Sequence, residues 1–248
     1  MQEITIALVG KTGHGKSSTG NTILRREAFE RDSNMGDGTE LLELKRDKFD
    51  GYKLKVYDLP GLEAVNLSQE HIIRQLNSLM DSAERIHLFV FVFNYTCRFS
   101  TEEAKVFYDL QKVFGNEFLR KHGMIVVTHG DNCSKKALEL SLSPEQTFSR
   151  WCENSGKNFK SLIEMVDDRI LLVYNFGTFE NDNDRMISSK RLLEMAIQMF
   201  QKGEPYTKQE FDRINTKNNS KSTCTKQEFK EINTKNNSKG ICEICTIS

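Results

Sequence analysis

Charge of one sign is missing from this 248-residue sequence: 35 Lys and Arg stand against 35 Asp and Glu. That balance lacks the basic footprint of a nucleic-acid-binding protein, so no nucleic-acid partner is expected. Long hydrophobic runs are missing too. The longest, such as IHLFVFVF at 86–93, have strand length and fall well short of the roughly 20 apolar residues of a membrane span. The opening MQEITIALVG enters a short apolar strand without the basic start, apolar stretch and small-residue cleavage site of a signal peptide. Cysteine is sparse and uneven: Cys97, Cys133 and Cys152 are scattered as in reduced intracellular proteins, while Cys224, Cys242 and Cys245 crowd the end. The expectation is a cytoplasmic chain without disulfides.

What is present is an alternation. ITIALV, LKVYD, IHLFVFVF, GMIVVTH and ILLVYNF are almost continuously apolar and rich in Val, Ile and aromatics, as strands buried on both faces are. Between them, EHIIRQLNSLMDSAERI, TEEAKVFYDLQKVFG, SPEQTFSRWCENSG and SSKRLLEMAIQMFQK space their apolar residues for one helix face. Ser100 and Glu103 have capping-box spacing, and Pro144 follows Ser143 at a first turn. The order predicts an α/β fold, a mostly parallel sheet with helices on both faces, in a domain covering 1–202. Residues 203–248 read as a polar tail in which TKQEFDRINTKNNSKSTC (207–224) is followed by the near-identical TKQEFKEINTKNNSKGIC (225–242). Each copy offers only Phe, Ile and a terminal Cys as apolar groups, too few for a core of its own. Thr207 with Glu210 and Thr225 with Glu228 have the spacing to cap short helices. A spacer, flexible or transiently helical, and a partner-binding helix are both open readings.

Directly after the first strand stands Gly10-Lys11-Thr12-Gly13-His14-Gly15-Lys16-Ser17, the P-loop pattern GxxxxGK[ST] at the start of a helix. Such a loop turns backbone N–H groups onto phosphate oxygens, and the helix N-terminus adds a favourable dipole. Lys16 is expected at the β and γ phosphates, with a catalytic share, Ser17 at Mg²⁺, and Ser18 near the α-phosphate. DLPGL follows at the end of a later strand, where Asp58 is placed to hold a Mg²⁺ water and the Gly61 N–H to sense the γ-phosphate. Thr39 is the candidate switch threonine for Mg²⁺; a plain polar-loop threonine is the alternative.

Taken together, GKTGHGKSSTGNTIL, DLPGL, CRFSTEEAKVFYDLQKVFG and VVTHGD resemble the immunity-associated nucleotide-binding GTPases of the GIMAP or avirulence-induced-gene type, relatives of the chloroplast Toc receptors. The resemblance spans about residues 3 to 200 and leaves out the repeated tail. It implies a Ras-like P-loop fold that binds GTP or GDP with Mg²⁺, pairs through its nucleotide face as a homodimer or oligomer, and is often tethered to membranes. It also implies that Thr128 to Asp131 replaces the usual Asn-Lys-x-Asp base-reading motif. The Asp131 carboxylate has the acceptors for the guanine N1–H and 2-amino group, which adenine lacks. His129 offers a flat ring to the base or a donor to the ribose. In the loop after ILLVYNF, where the family shows Phe-Asn-Asn, Asn175 matches and Phe176 does not.

In Ras-like enzymes a glutamine after the Asp-x-x-Gly turn positions the attacking water; Leu62 stands there, and slow turnover is expected. The resemblance puts Arg98 where a partner subunit's finger would stand, a contribution of about 10³ to 10⁵ in rate in other systems. Local pairing of Arg98 with Glu102 or Glu103 is the competing reading. The final Cys245-Thr-Ile-Ser has the Cys-a-a-X form that points to prenylation, with Cys242 available for a second acyl chain. Half a zinc or redox site is the alternative for that pair. The expected function is a guanine-nucleotide switch or slow GTPase, held on a cytoplasmic membrane face by its lipid tail. A GTP-dependent membrane scaffold with negligible hydrolysis is the alternative, and an ATPase with a degenerate base loop is a third.

Overall fold

The computed structural model describes residues 1–30, 42–61, 69–179 and 182–216. One six-stranded sheet organises them: β1 (Glu3–Val9), β2 (Glu43–Phe49), β3 (Tyr52–Asp58), β5 (Leu88–Asn94), β6 (Gly123–Thr128) and β7 (Ile170–Leu172), in the spatial order β2-β3-β1-β5-β6-β7. Only the β2–β3 pair is antiparallel. A second, two-stranded ladder joins β4 (Arg85–Ile86) to β8 (Tyr206–Thr207).

The continuous apolar runs are explained by burial on both faces, since successive strand residues point to opposite sides. Leu88, Val90 and Val92 pack with Ile23 and Leu24 of α1 (Lys16–Leu24) and with Leu192, Leu193 and Ala196 of α8 (Asn183–Lys202). Phe89, Phe91 and Phe93 face the other way. They meet Leu76 and Leu79 of α2 (Gln69–Ala83), Phe107 and Phe114 of α3 (Thr101–Phe114), Phe118 of α4 (Phe118–His122) and Phe159 of α7 (Lys157–Met165). Helices α5 (Gly130–Leu140) and α6 (Pro144–Asn154) follow β6 in the chain. The expected α/β architecture is therefore the observed one. Both predicted helix starts are capping boxes: Ser100 with Glu103 on α3, and Ser143 with Gln146 on α6.

Strand β2 was not expected, because its ELKRDKF is charged and never fully buried. Those are the properties of an edge strand, which gains its place from hydrogen bonds to β3. Asp50 and Gly51, at φ 45° and 80°, make the two-residue hairpin turn that joins the two strands.

The boundary expected at 202 falls inside the packed body. Tyr206 pairs with Ile86, is 1% exposed and donates its hydroxyl hydrogen to the Phe114 carbonyl at 3.0 Å. Residues 208–216 are helical, and the Thr207 hydroxyl accepts from the Glu210 N–H at 3.2 Å, as the cap spacing predicted. Phe211 is 1% exposed, its ring 5.3 Å from that of Phe114. Phe211 builds no core of its own; it joins the one around Phe114.

Candidate nucleotide site

Every β-strand of the parallel set ends at the same edge of the sheet, and loops from β1, β3, β5, β6 and β7 converge there. After β1, residues 10–15 turn into the N-terminus of α1, with Gly15 at φ 90° as its N-cap. A left-handed residue at that point favours glycine, and a Cβ there would stand 3.2 Å from the Thr128 methyl. Lys16 is buried, with Nζ 3.2 Å from the Lys11 carbonyl, so its ammonium lies over the loop whose N–H groups it complements. Lys11, Thr12 and Gly13 form the open rim, His14 is buried, and Ser18 is half-buried on the first turn of α1.

Ser17 and Asp58 come together across 41 residues of sequence: the Ser17 hydroxyl donates to Asp58 Oδ2 at 2.6 Å. Asp58 is 1% exposed, and its Oδ1 has no hydrogen-bond partner among the described residues. Burial pushes its carboxyl up to about 6, against the opposing pull of the Ser17 hydroxyl and the Lys16 charge. A buried carboxylate with one free oxygen beside a hydroxyl is the donor set that a hard divalent cation prefers, and a cation there would remove the cost of the charge. The residues present fit Mg²⁺. Gly61 sits against the P-loop, where a Cβ would stand 2.7 Å from the Thr12 nitrogen, so only glycine permits this approach. Thr39 and Leu62 lie outside the described residues.

The base end is built differently from expectation. Thr128 is 1% exposed, and its hydroxyl lies 2.8 Å from the His14 carbonyl and 3.1 Å from that of Phe93. It braces the P-loop from β6 and has no hydrogen left to offer a base. Asn175 is likewise not at the mouth. Its Oδ1 accepts from Thr22 Oγ1 at 2.8 Å and its Nδ2 donates to Thr19 Oγ1 at 3.0 Å, both on α1. Buried polar groups need such partners, and the amide has found them on the P-loop helix. The same network takes in Arg185, which is 1% exposed, bonds Thr22 and the Gly177 carbonyl, and pairs with Glu27 at 2.8 Å. Neither Glu27 nor Arg185 was anticipated, because the buried face of α8 begins with Arg185, Ser188 and Ser189 before its apolar residues start.

What remains at the base end is His129, Asp131 and Phe176. His129 is the left-handed N-cap of α5 at φ 61°, with its ring 5.8 Å from that of Phe176. Phe176 is 55% exposed, an apolar ring left in solvent beside the cleft. Asp131 stands in the first turn of α5, and its Oδ1 is buried without a hydrogen-bond partner among the described residues. Oδ2 is 3.9 Å from the Lys135 ammonium.

Beyond β5, Arg98 is exposed and makes no ion pair among the described residues. Glu103 is committed elsewhere: one oxygen accepts from the Ser100 N–H at 2.8 Å, and the other is 3.6 Å from Lys11 and 4.0 Å from His14. Burial is the largest influence on His14 and lowers its pKa, with Glu103 opposing. No group of three or more His, Cys, Asp or Glu that could hold a metal exists among the described residues.

A parallel sheet in this order, with a GxxxxGKS loop between β1 and α1 and a buried aspartate at the end of β3, defines a P-loop nucleotide-binding fold. Residues 4–227 match the model of the AIG1 family, and the chain belongs to that family. Among curated proteins it is similar to the Immune-associated nucleotide-binding proteins 9 and 12 of Arabidopsis thaliana. The identities are 28% over 213 residues (85% of this chain, 59% of that protein) and 30% over 188 residues (75% and 44%). The chain thus spans less than two thirds of the length of these relatives. Among solved structures it is similar to Toc33 of Arabidopsis thaliana. A dimerization-deficient mutant of that protein superposes at TM-score 0.61, with 17% identity and coverage of 84% and 88% of the two chains. The complex of Toc33 with GDP and Mg²⁺ gives 0.58, 20%, 80% and 86%. No helix among the described residues is long and apolar enough to cross a membrane.

Proposed function

We propose that the chain is a guanine-nucleotide switch or slow GTPase, with the phosphates on the P-loop, Mg²⁺ at Ser17 and Asp58, and the base at Asp131. One observation carries this reading. Two carboxylate oxygens, Asp58 Oδ1 and Asp131 Oδ1, are buried without hydrogen-bond partners on opposite sides of the P-loop along the sheet edge. For Asp58, 1% exposed, that condition is costly unless a ligand completes it; the Asp131 side chain is 37% exposed, so its free oxygen is an unfilled acceptor without a comparable cost. A cation completes the first and the N–H donors of guanine the second, and a single Mg²⁺-bound guanine nucleotide supplies both.

The P-loop N–H groups and Lys16 would bind and orient the phosphates, and bound Mg²⁺ would neutralise part of their charge. Asp131 would accept from the guanine N1–H and 2-amino group, with His129 and Phe176 flanking the ring. Leu62 offers no amide to position water, so intrinsic turnover is slow. Arg98, exposed two residues before the N-cap of α3, would serve a second subunit's phosphates in a homodimer. Toc33 supports this part of the reading, because dimerization is described as important for its GTPase activity. The Cys245 box, with Cys242 as a second site, would tether the chain to a cytoplasmic membrane face. Both cysteines lie outside the described residues, and mass spectrometry of the native C-terminus tests them.

The deciding experiment is nucleotide titration with and without EDTA, with ATP as competitor. GDP and GTP are expected to bind Mg²⁺-dependently and far above ATP; equal affinity for ATP would refute the base assignment. Turnover per monomer should rise with protein concentration and lose that rise in Arg98→Ala. Absence of phosphate release at high protein concentration would favour the scaffold reading, to which Leu62 already points.

A further inference from the structure

The eighteen-residue repeat has no part in the nucleotide chemistry, yet its first copy is held on the domain by specific contacts. The Lys208 N–H donates to the Glu84 carbonyl at 2.7 Å, and its ammonium is 2.8 Å from Asp81. Phe211 fills the space beside Phe114, and Ile214 lies against Gly115, where a Cβ would stand 3.0 Å from its Cδ1. Asn215 Nδ2 donates to the Val113 carbonyl at 3.3 Å. Together with the Thr207 cap, these contacts define a seat made by the end of α2, the end of α3 and the turn after it.

The second copy preserves every one of these residues at the same spacing: Thr225, Lys226, Phe229, Ile232 and Asn233. From Thr207 to Asn215 the copies differ only at Asp212, replaced by Lys230, and Arg213, replaced by Glu231. Both of those positions are exposed in the first copy. Changes confined to the solvent side, with the contact side intact, are what a shared seat produces.

We propose that residues 225–233 are a second occupant of the seat held by 207–215, exchanging with it within the same chain. Two features rank the first copy ahead. Tyr206, buried just before Thr207, has Cys224 as its counterpart, and Lys208 pairs with Asp212 at 3.1 Å where the second copy has Lys230. Covalent connection favours exchange within the chain, because the second copy is present at high effective concentration. In a neighbouring molecule the seat already has its own first copy. Exchange would shorten the segment that leaves the domain by eighteen residues and so reset its reach.

The test is a melting comparison of four full-length chains: wild type, Phe211→Ser, Phe229→Ser and the double variant. Phe229→Ser alone is expected to melt with wild type. The double variant should lose at least twice as much in midpoint as Phe211→Ser alone, independently of protein concentration. Equal midpoints for Phe211→Ser and the double variant, or failure of both to fold, would overturn the proposal. A rescue that grows with protein concentration would assign the seat to a neighbour's repeat and overturn exchange within the chain. A synthetic peptide of residues 225–237 should raise the midpoint of the double variant, and the same peptide carrying Phe229→Ser should not. Equal responses to the two peptides would again overturn it.

Discussion

Replacing Asn175 by alanine separates a brace from a base contact. The side chain is 4% exposed and makes two hydrogen bonds to α1, at 2.8 and 3.0 Å. Each buried bond contributes about 1 kcal/mol net, with more where a partner is left unsatisfied. Thr19 keeps its bond to the Gly15 carbonyl at 2.8 Å, so little is stranded there. Thr22 keeps only the Arg185 Nε contact at 3.3 Å and must turn its hydrogen toward its own helix. The sum is about 2–3 kcal/mol, which for a domain of this size lowers the melting midpoint of nucleotide-free protein by about 5–10 °C.

The assay that discriminates is the ratio of GDP to IDP affinity, because inosine lacks the 2-amino group. As a brace, Asn175 shapes the P-loop helix for every nucleotide, so Asn175→Ala should weaken GDP and IDP by one common factor and leave their ratio unchanged. Unaltered stability together with a selective loss of GDP would refute the reasoning and restore Asn175 to the base.

Asp131→Ala should collapse that same GDP to IDP ratio while leaving the stability of nucleotide-free protein within about 1 kcal/mol of wild type. The GDP loss should be about 10²-fold, from two charge-assisted bonds of about 1.5 kcal/mol or more each, read by calorimetric titration. Glu103→Gln should preserve the start of α3, since Gln146 performs the same capping role on α6, while freeing Lys11 from a carboxylate 3.6 Å away. Tighter, more salt-sensitive GTP binding is the expected result, and weaker binding would contradict it. His87 and His122 are both held down to about 4, chiefly by burial, and the His87 Nδ1 accepts from the Thr5 N–H at 3.0 Å. With folded values below that of the free imidazole, their stabilising contribution is complete above about pH 6.5 and is lost as pH falls toward 4, by at most about 2 kcal/mol each at pH 5. Melting from pH 7.5 to 5 checks this, and His87→Gln should flatten the slope.

How much of this was readable in the sequence depends on whether the information was contiguous. The P-loop, Asp58 and Gly61 were legible because each belongs to a short pattern whose mechanism dictates its residue types, and the structure joins Ser17 to Asp58 as those types require. The capping box of Ser100 and Glu103 and the first-turn Pro144 were legible for the same reason; the Ser143–Gln146 box was not read. Thr128 and Asn175 were placed at the right points of the chain with the wrong direction of the side chain. Spacing locates a residue at the end of a strand; which neighbour it bonds is set by elements more than a hundred residues away, the His14 carbonyl and Thr22. Strand β2 escaped because an edge strand carries no apolar run, although Asp-Gly at 50–51 was the available signal.

The tail shows why an inventory of apolar residues is an incomplete test of order. A segment with one Phe and one Ile cannot supply the burial that offsets its own chain entropy, and that part of the sequence argument stands. The missing term is a surface already formed. Phe114 and Val113 are held by α3 and Glu84 by the end of α2, all outside the repeat. Docking buries Tyr206 and Phe211 against side chains that α3 and α4 hold in place, and adds a short ladder with β4. Occupancy of the seat is therefore sensitive to an anchor such as Tyr206. Order in residues 207–216 is thus a property of the domain that receives them.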